Sequence, residues 1–154
     1  MMPHKTMMSI SMVSANRDKT FIDTWAWVAL ADKNDSDHAR ARIVNQQLLD
    51  QERLFVTTNL VFGETVTTLR YAVSHAAAVK IRQMMNELVE GGLLSLIRVT
   101  EAHEEEAWRI FEKYGDQDFS WVDCTSFAVM KDSGFNDAFT KDHHFRIMGF
   151  ITHC

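Results

Sequence analysis

The sequence predicts an α/β protein, a three-layer α/β/α sandwich around a mostly parallel sheet of about five strands. Three observations lead there. Short apolar runs such as Phe21-Ile22, Leu54-Phe55-Val56 and Leu94 to Val99 are too brief for core helices and read as buried strands. Longer amphipathic stretches separate them, and crossovers of that length join parallel strands beneath helices on both faces. Acidic residues follow the strands or open the next helices, at the edge where ligands bind in open α/β sheets.

The elements follow in order. Thr20 to Ile22 is the first strand and stops on Asp23; Trp25 to Ala31 is a short helix broken by Asp32-Lys33-Asn34-Asp35. Asp35 or Ser36 caps a helix through Leu49, with Ile43, Val44, Leu48 and Leu49 as its apolar stripe. After the second strand, Leu54 to Val56, Thr57-Thr58 caps a helix in which Phe62, Val66, Leu69 and Val73 recur at helical spacing. Glu64 lies off that stripe, beside Leu60, Thr67, Thr68 and Tyr71. Residues 75–90 form a helix through Val79, Met84 or Met85, and Leu88, and Gly91-Gly92 ends it. Leu94 to Val99 is the third strand, and Thr100-Glu101 opens a helix through Ala107, Trp108, Ile110 and Phe111. Gly115 to Asp118 is a loop, Ser120 starts a helix that runs to Lys131, and Gly134 stops it. Ala138 to Thr140 is a short strand, Asp142 to Met148 a short helix, and Phe150 to Thr152 the last strand.

A chain of 154 residues suits one domain with a real core. Residues 1–18 carry five of the nine methionines and read as a flexible N-terminal extension, leaving 19–154 as the folded domain. The net charge of −5 excludes a surface that is basic all over, so any nucleic acid must meet a local patch or bound cations. Cys124 and Cys154 make neither a disulfide framework nor a zinc-finger spacing, which points to a reducing cytoplasm. No run approaches the length of a membrane span.

Four acids stand out: Asp23, Glu64, Asp123 and Asp142. Each has a local explanation. Asp23 and Asp142 are placed to cap helices, Ser120 to Asp123 has the form of a capping box, and Glu64 fits a solvated helix face. Together, all four project from one edge of a parallel sheet. Carboxylates that close repel, and a hard divalent ion such as Mg²⁺ or Mn²⁺ relieves them.

Four stretches carry a resemblance: Phe21-Ile22-Asp23-Thr24-Trp25-Ala26-Trp27, Thr57 to Glu64, Phe119 to Ala128, and Phe139-Thr140-Lys141-Asp142-His143-His144-Phe145. In this order and spacing they resemble the PIN domain, and more narrowly the VapC-type toxin ribonucleases. The resemblance implies five parallel strands between helices and a metal-dependent endoribonuclease site at one edge. It carries Asp23, Glu64, Asp123 and Asp142 over as catalytic acids and metal ligands, with Thr24 and Thr140 as their hydroxyl neighbours. Gly63 stands where the family often has an acid, and Asp118, in the loop before the third acid, is a further candidate beside the site. The implied partners are RNA, a cognate antitoxin and a second copy of the chain, docked through residues 58–90.

At such a site Mg²⁺ or Mn²⁺ would activate water and hold phosphate oxygens. Lys141, His143, His144 and Arg146, with Arg40 and Arg42, are the candidate RNA contacts. The His143-His144 pair lacks a cysteine or third histidine at zinc-ligand spacing. Trp25, Trp27, Trp108 and Trp121 are read as mainly core or interface residues rather than base-stacking platforms. Two other readings are weighed: a PIN-like domain that binds RNA or protein without catalysis, and another acid-edged α/β phosphohydrolase. A haloacid-dehalogenase-like phosphatase needs a second aspartate two residues after the first, where this chain has Trp25.

Overall fold

Strands β1 (Lys19–Ile22), β2 (Leu54–Thr58), β3 (Leu94–Ile97), β4 (Asp137–Phe139) and β5 (Ile151–His153) form one sheet in the order β3-β2-β1-β4-β5. Every pairing is parallel. The structure is a computed structural model that describes residues 17–154. The extension expected over 1–18 lies outside the described residues except for Arg17 and Asp18. Those two are tied to the start of β2: Arg17 Nε donates to the Glu52 carbonyl at 2.6 Å, and Leu54 N donates to the Asp18 carbonyl at 2.8 Å.

Seven helices connect the strands among the described residues: α1 (Thr24–Ala31), α2 (His38–Asp50), α3 (Asn59–Ala72), α4 (His75–Glu90), α5 (Glu101–Lys113), α6 (Trp121–Ser133) and α7 (His144–Ile147). Consecutive residues of the central strands are buried, Phe21 with Ile22 and Phe55 through Thr58. Side chains alternate across a strand, so unbroken burial means that both faces of the sheet are covered. This is the expected α/β sandwich. Its core runs through Phe21, Trp27, Leu48, Leu69, Ile81, Phe127, Phe139 and Phe145.

Local chemistry sets the helix ends. The hydroxyls of Thr58, Ser74, Thr100 and Ser120 accept backbone N–H groups of the first turns of α3 to α6. Gly134 closes α6 at φ +73°, the left-handed conformation that disfavours a side chain. An added Cβ there meets nothing within 4 Å, so Gly134→Ala is expected to cost only backbone strain. The predicted loss is about 1 kcal/mol, read from the denaturant midpoint.

Three apolar stripes hold in the main, and each has one expected member turned out to solvent. In α3 the buried line is Val61, Thr65 and Leu69, while Val73 is exposed. Thr65 is tolerated inside because its hydroxyl donates to the Val61 carbonyl at 2.8 Å. In α4 the buried residues are Ala78, Ile81 and Met85, with Val79 exposed; in α2 they are Ala41, Val44 and Leu48, with Ile43 exposed. In both helices an alanine takes a buried place close to the β-branched residue that turns out. The start of α2 also moves, from Ser36 to His38, because the Asp35 carboxylate accepts Asp37 N at 2.8 Å in a turn of its own.

Candidate active site

The middle of the sheet sets the site. Strands β1 and β4 are neighbours with Ile22 beside Phe139, so the residues that follow them leave the sheet at one edge. Asp23 N donates to the Phe139 carbonyl at 3.3 Å, continuing the pairing by one residue. The Thr140 hydroxyl donates to Asp23 Oδ2 at 2.9 Å and accepts Asp142 N at 3.0 Å. One hydroxyl therefore ties the first acid to the fourth. On the other flank Thr24, the first residue of α1, donates to Glu64 Oε1 at 2.5 Å. That bond pulls the α3 carboxylate towards the end of β1.

Asp123 enters from α6. Its Oδ2 accepts Ser120 N at 3.0 Å, completing the capping box, and lies 3.3 Å from His144 Nδ1. The same imidazole nitrogen is 3.1 Å from Asp142 Oδ1. Asp142 Oδ1 also accepts the backbone N–H of His144 at 3.0 Å.

The charges of these groups act on one another. Asp23 is pushed up to about 7, chiefly by burial, with the charges of Asp123 and Glu64 adding to it. The Thr24 backbone N–H and the Thr140 hydroxyl partly offset this. Asp123 is also raised, first by burial and then by Asp142, against the Ser120 N–H and His144. The electrostatic links run Glu64–Asp23–Asp123–Asp142, so all four acids share one field. Cys124, next to Asp123, is pushed up to about 11 by its own burial and then by that carboxylate. Its thiol stays protonated and is no nucleophile.

Other candidates lie apart from this group. Asp118 is exposed in the loop before Phe119, and no hydrogen bond or ion pair among the described residues joins it to the four acids. Lys141 is paired with Asp37, Nζ lying 3.3 Å from its carboxylate. Asp37 is held below the usual carboxylate range by the Trp25 indole N–H first and by Lys141. His143, Arg146, Arg40 and Arg42 are exposed. Trp27 is core and Trp25 packs edge-on to Phe139, whereas Trp108 and Trp121 are exposed and in edge contact with each other. An apolar hollow of about 390 Å³ lies among Trp27, Leu30, Leu49, Phe55, Met84 and Leu88, and none of the four acids lines it.

His144 is the residue whose place the sequence did not reveal. The sequence offers it as a candidate RNA contact, yet its ring is largely buried between the third and fourth acids. Two adjacent histidines carry no pattern to say which turns inward. Asp142, His143 and His144 together present three donor atoms within 4.8 Å of one another, a grouping that a search for cysteine or a third histidine overlooks.

Comparison with known proteins places the chain in a family. The sequence pattern of the PIN domain matches residues 20–151. The chain belongs to the PIN domain family. Within that family it is 33% identical, over 131 residues, to the 23S rRNA-specific endonuclease VapC20 of Mycobacterium tuberculosis, covering 85% of this PIN chain and 95% of that protein. The crystal structure of VapC20, described as a sarcin-ricin loop cleaving toxin, superposes with a TM-score of 0.75 at 32% identity, covering 86% and 96% of the two chains. The PIN fold alone is shared with VapBC2 of Rickettsia felis, bound to a promoter DNA fragment, at a TM-score of 0.62 and 13% identity over 88% and 97% of the chains. It is shared likewise with the FitAcB structure from Neisseria gonorrhoeae, at 0.61 and 12% over 88% and 96%.

The donor set fits a hard divalent ion. Four carboxylates converge on an edge where one of them, Asp23, is held uncharged up to about neutral pH unless a cation is close. Oxygen ligands in that number are what Mg²⁺ and Mn²⁺ take.

Proposed function

We propose that this PIN domain is a metal-dependent endoribonuclease, the toxin of a type II toxin–antitoxin pair, using Mg²⁺ or Mn²⁺ at Asp23, Glu64, Asp123 and Asp142. The observation that carries it is the gathering of those four acids, from distant parts of the chain, at one sheet edge: Thr140 joins Asp23 to Asp142, His144 lies between Asp142 and Asp123, and Thr24 binds Glu64. The endonuclease activity in the name of the M. tuberculosis relative supports the choice of RNA. When bound, the ion supplies Lewis acidity toward water and phosphate oxygens.

The chain's own groups do the rest. Asp23 and Asp142 are the central ligands, held at a fixed spacing by Thr140. Thr24 holds Glu64 in one orientation, and the α6 cap does the same for Asp123. A carboxylate not engaged by the ion is placed to accept a proton from the attacking water. His143 and Arg146, exposed next to Asp142, are within the reach of an incoming backbone phosphate, and Lys141 reaches it by leaving Asp37. An unpaired RNA loop exposes its backbone and bases to such an edge.

An antitoxin covering the acidic edge, a second copy docked on residues 58–90 where Tyr71, Val73 and Val79 are exposed, and residence in the cytoplasm complete the reading. No helix among the described residues is long and apolar enough to cross a membrane.

The test is cleavage of a looped RNA by the purified chain with Mg²⁺, Mn²⁺ or EDTA, beside DNA of the same sequence. Cleavage of RNA alone, abolished by EDTA, is expected; metal-independent cleavage, or none with a folded protein, overturns the proposal. Thr140→Val removes the hydroxyl between Asp23 and Asp142 while keeping the shape. It is expected to lower the cleavage rate about 10–100-fold, as loss of a ligand's supporting hydrogen bond does. Unchanged circular dichroism checks that the fold survives.

A further inference from the structure

We propose that His144 is a nitrogen ligand of the ion at this edge, so that the donor set mixes carboxylate with imidazole and favours Mn²⁺ over Mg²⁺. The inference rests on the reading above that the four acids hold an ion. Its first support is a buried atom without an aligned hydrogen-bond partner. His144 Nδ1 is shielded from solvent and makes no well-aligned hydrogen bond, although carboxylate oxygens of Asp142 and Asp123 lie 3.1 Å and 3.3 Å away. Neither oxygen lies in line with an N–H on that ring. A buried polar nitrogen left in that position needs an explanation.

The second support is spacing. Neighbouring ligands at right angles around an octahedral ion with bonds of about 2.1 Å are roughly 3 Å apart. The nitrogen stands at that distance from one oxygen and slightly beyond it from the other. The ring is also held in place. Phe119 meets it edge-on with centroids 5.2 Å apart, and the His143 ring covers it at 4.4 Å.

A neutral imidazole with its proton on Nε2 directs the Nδ1 lone pair inward, as a ligand must. Replacing an oxygen by imidazole nitrogen tilts a site away from Mg²⁺ and towards first-row transition ions. His143, exposed and with its Nδ1 3.8 Å from Asp142 Oδ1, is the competing nitrogen.

Pulsed electron paramagnetic resonance of the full chain loaded with one equivalent of Mn²⁺ tests this without relying on activity. A ¹⁴N coupling is expected in the wild type, replaced by ¹⁵N when only the histidines are ¹⁵N-labelled, a change that leaves the fold untouched. The coupling should persist in His143→Gln and vanish in His144→Gln. The ratio of Mn²⁺ to Mg²⁺ affinity should fall about tenfold in His144→Gln. Bound Mn²⁺ without nitrogen coupling, coupling that follows His143, or an unchanged affinity ratio overturns the role of His144 and leaves an acid-held ion standing. Failure of the folded wild type to bind Mn²⁺ overturns both.

Discussion

Asp23→Asn is expected to lower RNA cleavage by on the order of a thousandfold, a loss of about 4 kcal/mol of transition-state stabilisation. Asparagine has nearly the same shape and its oxygen can still accept the Thr140 hydroxyl, which Asp23 Oδ2 accepts at 2.9 Å. What disappears is a charge at the centre of the acidic edge, coupled to Asp123 on one side and Glu64 on the other. The measurement is single-turnover cleavage of a looped RNA at saturating Mg²⁺, with circular dichroism of the variant alongside. A tenfold loss or less would move the chemistry away from this residue and towards Glu64 or Asp142.

The same substitution should act in the opposite direction on stability when no metal is present. Asp23 ionises at about 7 in the folded chain against an ordinary 3.8. Between those values the folded state keeps a proton that the unfolded state has given up, so this group makes stability fall as pH rises through the window. Below about pH 4 both states are protonated and the group is neutral in its effect. Above pH 7 the folded chain carries the full cost of the buried charge, at most roughly 4 kcal/mol and less once water enters the edge. Asp23→Asn removes that slope. Its metal-free Tm should exceed that of the wild type by several degrees at pH 8 and match it near pH 4. Excess Mg²⁺ should narrow the gap by stabilising only the wild type. Calorimetry in EDTA at the two pH values checks it, and an Asp23→Asn variant less stable than wild type at pH 8 would contradict the burial argument.

The order of strands and helices was legible because the punctuation of this chain is chemically explicit. Thr58, Ser120 and Gly134 announce helix ends through their own side-chain bonding or lack of a side chain, and the structure places the caps where the sequence does. Which residues face inward was less legible. Ile43, Val73 and Val79 satisfy the hydrophobic pattern and are exposed, because alanines and a self-bonded threonine occupy the buried line beside them. Hydropathy ranks such small residues too low to find them.

At the site, the acids were visible as types at recurring places, yet local sequence could not separate cap from ligand. Asp123 explains why: it does cap α6, and its Oδ2 faces His144 at the same time. The links that gather the group, Thr24 to Glu64 and Thr140 to Asp23, span 40 and 117 residues. Contacts of that range are fixed by sheet order, which no local pattern encodes.

That range has a consequence for how the molecule comes into being. A polypeptide halted between Asp123 and β4 would possess three of the four acids and still lack Thr140 and the fourth carboxylate, which arrive with β4 as it inserts beside β1. Parallel pairings between distant segments form late and slowly. If these four acids hold the ion, cleavage is expected only once β4 has docked beside β1.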